Sequence, residues 1–379
     1  MRDLKNIKRV IIKIGSSSLV KKDLSLNGEM FEDIFTALSK VRDAGVWPVI
    51  VTSGAVATGM HELGMKKKPK DMSVKQALAA VGQIRLMEEY NRYADKYGLK
   101  LGQILVSHDD FQVRKRMLCL TETFEAMYKN SIIPVINEND ALAVEEISVG
   151  DNDTLSALVA PLVHADLLVL FSDIDGFYDK NPKQFEDAKL ISEISEINDE
   201  ILAKASGSDS LVGTGGMETK LHAAIISGYA SSNMIICNAD RMKDLYKIIK
   251  GEEIGSLFLA HPKEISGKDH WLIFNTNSQG AVLVDEGLCE ALMKKRVSIL
   301  PKGVIGVKGE FLKGNVIDVI NKNGDTIAKG LVNFSSMEIK KLEGVKSELV
   351  ESIVGYKCKN EIIHANDLVV LEKNYGKLR

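Results

Sequence analysis

The chain has 379 residues, 45% hydrophobic and 27% charged, with a formal net charge of -3. This is ordinary globular composition, long enough for two domains, with no global electrostatic pull toward nucleic acid or a membrane surface. The N-terminal apolar run is broken by Lys13 and too short for a signal or spanning segment, and Cys119, Cys237, Cys289 and Cys358 lie too far apart in the chain for a zinc or redox motif, so a reducing cytoplasm is expected.

Residues 8–14 (KRVIIKI) predict a short strand that ends in Gly15-Ser16-Ser17-Ser18. Met30, Phe31, Ile34, Leu38 and Val41 recur at helical spacing, and Gly45 ends that helix. Residues 46–52 predict a second strand, after which Ser53-Gly54-Ala55 opens another helix. The alternation continues: helix 73–97, strand 101–106, helix 111–130, strand 131–136, helix 153–163 and strand 166–171. It closes with helix 217–229, strand 233–237 and helix 241–249. The strands are continuous apolar runs, as expected when both faces of a parallel sheet are covered. Repeated β-then-α order predicts an α/β fold, a three-layer αβα sandwich around a mainly parallel sheet. Ligands in such sheets bind beyond the carboxyl ends of the strands.

After residue 255 the texture changes. Residues 256–275 lack periodicity and read as a linker. Over 276–356 short apolar runs punctuated by glycine predict a small β-barrel. The expected organisation is an α/β domain over 1–255, a linker over 256–275, a small β-barrel domain over 276–356 and a C-terminal extension over 357–379.

Four polar or glycine-rich segments carry the chemistry. In the first, Lys13 precedes Gly15 and Ser16, and a glycine-rich turn of this kind presents backbone N–H groups to phosphate oxygens. A lysine inside an apolar strand needs a partner, unless it snorkels to solvent. In the second, Thr52-Ser53-Gly54-Ala55, a helix N-terminus and the Ser53 hydroxyl suit a carboxylate, although taken alone the segment reads more simply as Ser53 capping the helix. The third pairs Asn137-Glu138-Asn139-Asp140 with Gly150-Asp151-Asn152-Asp153. So many short carboxylates and amides exceed what helix caps require, and they suit binding an ammonium group and holding lysines. The fourth runs from Gly213 to Lys220. It has the composition of a phosphate cradle or a flexible surface loop, but it is neither a P-loop nor a dinucleotide fingerprint, since Glu218 stands where a third glycine would. Two lysines, two glycine-rich anion sites and a carboxylate–amide cluster fit phosphoryl transfer, where positioning and charge neutralisation do most of the catalysis.

The segments VIIKIGSS, VIVTSGAVATG, KQALAAVGQ, IPVINENDA, VGDNDTLSALVA, SDIDGFYDKNP and GTGGMETK closely resemble those of the glutamate 5-kinases, within the amino-acid kinase family. VDEG and ILPKG resemble their C-terminal PUA domain, so the resemblance covers essentially the whole chain. It implies transfer of the γ-phosphate of ATP to L-glutamate, the first step toward proline, with Mg²⁺ and in the cytoplasm. By matching motifs, Lys13 and Lys220 would contact the transferring group and Asp153 would orient both. Ser53, Asp140 and Asn152 would bind glutamate, with Gly54, Ala55, Asn137 and Asp151 beside them. Lys13, Gly15, Ser16, Ser172, Asp173, Thr214, Gly215, Gly216, Met217, Glu218, Thr219 and Lys220 would line the ATP site. Ser172 stands where the family commonly has threonine, and the hydroxyl survives. No metal-ligating residue is singled out. The resemblance also implies proline as feedback inhibitor, a homo-oligomer, and a glutamyl phosphate reductase as partner. Alternatives are an aspartate or acetylglutamate kinase, or RNA binding through the PUA-like segment. Against RNA, residues 276–356 hold 11 Lys and Arg and 10 Asp and Glu, with no strong positive excess.

Overall fold

The structure, a computed structural model, describes residues 1–4, 6–142, 152–182, 184–206, 216–262 and 265–371. The chain divides into two compact units, Met1–Glu264 and Ile265–Arg379. In the first unit eight strands form one sheet: β1 (Arg9–Ile14), β2 (Trp47–Val51), β3 (Lys100–Val106), β4 (Ile132–Glu138), β5 (Leu167–Ser172), β6 (Glu193–Ile194), β7 (Asn233–Asn238) and β8 (Ser256–Phe258). Their order is β3-β4-β2-β1-β5-β7-β8-β6. Every described pairing is parallel except that of β7 with β8.

The helices of this unit are α1 (Ser16–Leu19), α2 (Gly28–Asp43), α3 (Ala55–Glu62), α4 (Met72–Lys96), α5 (His108–Gln112), α6 (Arg114–Lys129), α7 (Asn152–Val163), α8 (Asp199–Ser206), α9 (Met217–Tyr229) and α10 (Leu245–Ile249). They cover both faces of the sheet. Val10, Ile12 and Ile14 of β1 pack into one core with Phe31, Phe35 and Leu38 of α2 and Leu86 and Tyr90 of α4. Successive strand residues point to opposite faces. Ile11 and Lys13 therefore face the other layer, where α7 packs on β1 and on α9. The same alternation that buries β1 thus aims its lysine at α7.

The helices α3 and α4 touch backbone to backbone. A Cβ on Gly82 would lie 1.8 Å from the carbonyl oxygen of Ala55, and one on Gly59 would lie 2.0 Å from that of Leu78. Only glycine permits this approach.

Several boundaries differ from the sequence expectation. The strand expected over 131–136 continues to Glu138, because Asn137 and Glu138 pair with Leu105 and Val106 of β3. The helix expected over 111–130 is two helices, α5 and α6, separated at extended Val113. The segment 256–275, expected to be a linker, holds strand β8 and helix α11 (Gly267–Phe274). A three-residue strand leaves no periodicity to read, and β8 is held by its pairing with β7.

In the second unit, β9 (Ala281–Val284), β10 (Val304–Lys308), β11 (Val316–Ile320), β12 (Thr326–Leu331) and β13 (Leu368–Val370) form a sheet of order β10-β9-β11-β12-β13. Its core includes Val282, Val284, Ile317, Val319, Phe334, Ile339 and Leu342. Strand β13 lies in the expected C-terminal extension, and its antiparallel pairing with β12 makes those residues part of this sheet. No helix among the described residues is long and apolar enough to cross a membrane.

Candidate active site

Three charged side chains from distant parts of the chain meet at the carboxyl end of β1. The Asp153 carboxylate, in the first turn of α7, is 1% exposed. Its Oδ1 lies 2.5 Å from Lys13 Nζ and its Oδ2 accepts from Lys220 Nζ at 2.9 Å. Lys220, in the first turn of α9, is 4% exposed. Burial pushes the Asp153 carboxyl up, but the ammonium groups of Lys13 and Lys220 outweigh it and hold the carboxyl below its ordinary value. Lys13 therefore does not snorkel, and Asp153 is not merely a helix cap.

Beside this bridge, side-chain amides join the ends of β2, β4 and α7. The two hydrogens of Asn152 Nδ2 are shared among three acceptors, the Thr52 carbonyl and Ser53 Oγ at 2.6 Å each and Asn137 Oδ1 at 3.1 Å. Asn137 Nδ2 in turn donates to Gln83 Oε1 of α4 at 2.9 Å. The Tyr90 hydroxyl donates to Thr52 Oγ1 at 2.9 Å. Gly54, at φ 100°, turns the chain in the left-handed region from β2 into α3, which begins at Ala55. Gly54, not Ser53, holds the N-cap position, and the Ser53 oxygen accepts from Asn152 instead.

A cavity of about 880 Å³ opens here, lined by Ser16, Ser53, Gly54, Ala55, Asn137, Asp140 and Asn152 among others. Asp140 sits in a turn after β4, where burial and the neighbouring Glu138 push its carboxyl up to about 6. The cavity is also lined by Lys22, Asp23, Lys66 and Lys68, from loops that no motif marks, and by His61 of α3. Gln83 and Tyr90 escaped it too, because a polar residue within a helical pattern gives no sign of which way it faces. The one available signal was Gly82, a glycine inside a helix.

The residues assigned to ATP lie at neighbouring strand and helix ends. Ser172 ends β5 and donates to Asp173 Oδ1 at 3.0 Å. Gly216 precedes α9, and Thr219 donates back to its carbonyl at 2.8 Å. Met217 and Glu218 begin that helix. Of the residues assigned to ATP only Ser16 lines the 880 Å³ cavity among the described residues. Asp151, Thr214 and Gly215 lie outside the described residues.

The amino acid kinase family model matches residues 8–238 and the PUA domain model residues 280–354. Glutamate 5-kinase of Caldanaerobacter subterraneus subsp. tengcongensis is 43% identical over 370 residues, 97% of this chain and 100% of that protein. That of Carboxydothermus hydrogenoformans is 44% identical over 370 residues, 97% and 99% of the two chains. The chain belongs to the amino acid kinase family, among the glutamate 5-kinases. In this amino acid kinase, then, the bridge of Lys13, Asp153 and Lys220 stands in the domain that the family model covers.

Removing the shared carboxylate takes their common countercharge from two neighbouring ammonium groups. Asp153→Ala is expected to destabilise the first unit by about 3–5 kcal/mol, the cost of breaking a buried pair. A urea titration reads this as a lowered midpoint.

Proposed function

We propose that this chain transfers the γ-phosphate of ATP to the side-chain carboxylate of L-glutamate, giving L-glutamyl 5-phosphate and ADP, the first step of proline biosynthesis. The observation that carries this reading is the pair of ammonium groups on Asp153 beside a cavity edged by Ser53, Asn152 and Asp140. The full-length similarity to glutamate 5-kinases supports the choice of substrate.

The nucleophile is already a carboxylate at neutral pH, so no general base is required. One carboxylate oxygen forms a bond to the γ-phosphorus, the bond from phosphorus to the bridging oxygen breaks, and ADP leaves with that electron pair. The obstacle is repulsion between two anions. A pair of unit charges at ~4 Å costs about 4 kcal/mol at an effective dielectric near 20. Lys13 and Lys220 offset it, and Asp153 keeps both in place without neutralising either completely. The Ser53 hydroxyl and the N–H groups at the start of α3 suit a substrate carboxylate, while Asp140 and Glu138 suit the ammonium group.

ATP requires a divalent ion to screen its phosphates, and Mg²⁺ is the ion we assign. Among the described residues no three His, Cys, Asp or Glu side chains cluster in a way that could cage it. Mg²⁺ fits instead as an ion carried on the triphosphate and water, its usual manner of binding. It would neutralise charge on the phosphates. The resemblance also supports feedback inhibition by proline, a homo-oligomer, a cytoplasmic setting, and a reductase that consumes the labile acyl phosphate.

The test is ATP-dependent trapping of the acyl phosphate as its hydroxamate, with L-glutamate, L-aspartate and N-acetyl-L-glutamate compared. Signal with glutamate alone is expected, and signal only with another acid would overturn the substrate. In the same assay Lys13→Ala and Lys220→Ala should each lower kcat by at least ~10², the scale of losing one preorganised charge contact.

Because Asp140 titrates at about 6, its charge disappears as the pH falls through that value. The KM for glutamate is therefore expected to rise below pH of about 6, with the KM for ATP changing less. A glutamate KM that stays flat from pH 8 to 5, range ~3 units, would remove Asp140 from ammonium binding.

A further inference from the structure

The amides beside the cavity form a chain with a fixed polarity. The backbone N–H of Glu138 can only donate, and it bonds to Asn137 Oδ1 at 2.9 Å. That oxygen therefore cannot be exchanged for the amide nitrogen without placing donor against donor. With Oδ1 so fixed, it also accepts from Asn152 Nδ2 at 3.1 Å. Asn137 Nδ2 then points at α4, where Gln83 Oε1 accepts it at 2.9 Å. At the other end Asn152 Nδ2 donates to Ser53 Oγ at 2.6 Å. A hydroxyl that accepts in this way keeps its own proton free to donate elsewhere. The chain thus begins at an acceptor on Gln83 and ends in a donor on Ser53, which lines the cavity.

Gln83 is itself held firmly. It is 8% exposed, and it follows Gly82, whose backbone lies against the Ala55 carbonyl at the start of α3. Helix α4 cannot draw back from α3 without losing that contact, nor come closer. The Nε2 of Gln83 is buried with no partner among the described residues. A buried glutamine whose nitrogen goes unmet is a poor device for stability alone. Turning its amide over to satisfy the nitrogen would bring that nitrogen against Asn137 Nδ2.

We infer that Gln83 is a positioning residue for substrate recognition: its oxygen anchors the nitrogen of the Asn137 amide, whose orientation the Glu138 N–H sets, and through Asn152 helps keep the Ser53 hydroxyl proton available to the substrate carboxylate. This rests on the assignment of the Ser53 cavity to glutamate. Gln83 touches neither the substrate nor the transferring phosphoryl group in this scheme, so it acts on binding of one substrate only.

The test uses the full chain and begins with wild type on the acid panel. If wild type turns over a different acid, the substrate assignment fails on its own. With glutamate as substrate, Gln83→Met keeps the size and removes the acceptor. It should raise the glutamate KM about tenfold, the scale of one hydrogen bond, with the ATP KM and Tm nearly unchanged. Gln83→Glu presents an acceptor oxygen at the same place and should stay within about threefold of wild type. Adding Gln83→Met to Ser53→Ala should cost less than it does alone, because both act through one chain of bonds. An unchanged glutamate KM in Gln83→Met would overturn the inference. So would a rise in both KM values together with a lowered Tm, equal damage in Gln83→Glu, or full additivity with Ser53→Ala.

Discussion

A carboxylate at 1% exposure is tolerable only if its charge is met on the spot. Asp153 is met twice, once by each oxygen. This constraint joins three segments that are far apart in sequence. Strand β1 supplies Lys13 through simple alternation, with Ile12 and Ile14 buried on the opposite face. Helix α7 supplies Asp153 from its first turn, and α9 supplies Lys220 from its own. Since α7 packs against both β1 and α9, the packing of apolar surfaces brings the charges together. The charges then fix the register of helix ends that apolar contact alone leaves loose. The two ammonium groups share one carboxylate, Lys13 on one oxygen and Lys220 on the other.

The second half of the site is neutral and works by direction. Between β2, β4, α4 and α7 the amides of Gln83, Asn137 and Asn152 pass a fixed donor–acceptor order to Ser53. Backbone contact at Gly59 and Gly82 sets the distance between α3 and α4, on which that order depends. A charged bridge that can tolerate small shifts thus lies next to a hydrogen-bonded chain that cannot. Under the proposed reaction the lysines would handle charge during transfer, and the amides and Asp140 recognition of the acceptor.

Much of this was legible in the sequence because it is local. The apolar runs at 8–14, 46–52 and 166–171 read as buried parallel strands, and the strands lie at Arg9–Ile14, Trp47–Val51 and Leu167–Ser172. The polar segments after them carried the site candidates for the same reason. What failed was information held in pairing. Asn137 and Glu138 look like loop residues, yet β3 draws them into the sheet. β8 and β13 are three residues each and exist through their neighbours β7 and β12. Lys13 alone could have snorkelled, and only the position of Asp153, 140 residues on, decides that it does not. Gln83 lies in a helix whose pattern gives its spacing but not what its amide meets. The loops that carry Lys22 and Lys66 line the cavity through chain folding that no motif announces.

The most direct measurement is the single-turnover rate of acyl phosphate formation by Asp153→Asn at saturating ATP and glutamate. Asparagine keeps the shape and removes the charge that anchors both lysines. If the shared carboxylate sets their positions, the rate should fall by at least ~10² while both substrates still bind. A rate within a small factor of wild type would show that Lys13 and Lys220 need no common anchor, and would contradict the central role given to Asp153.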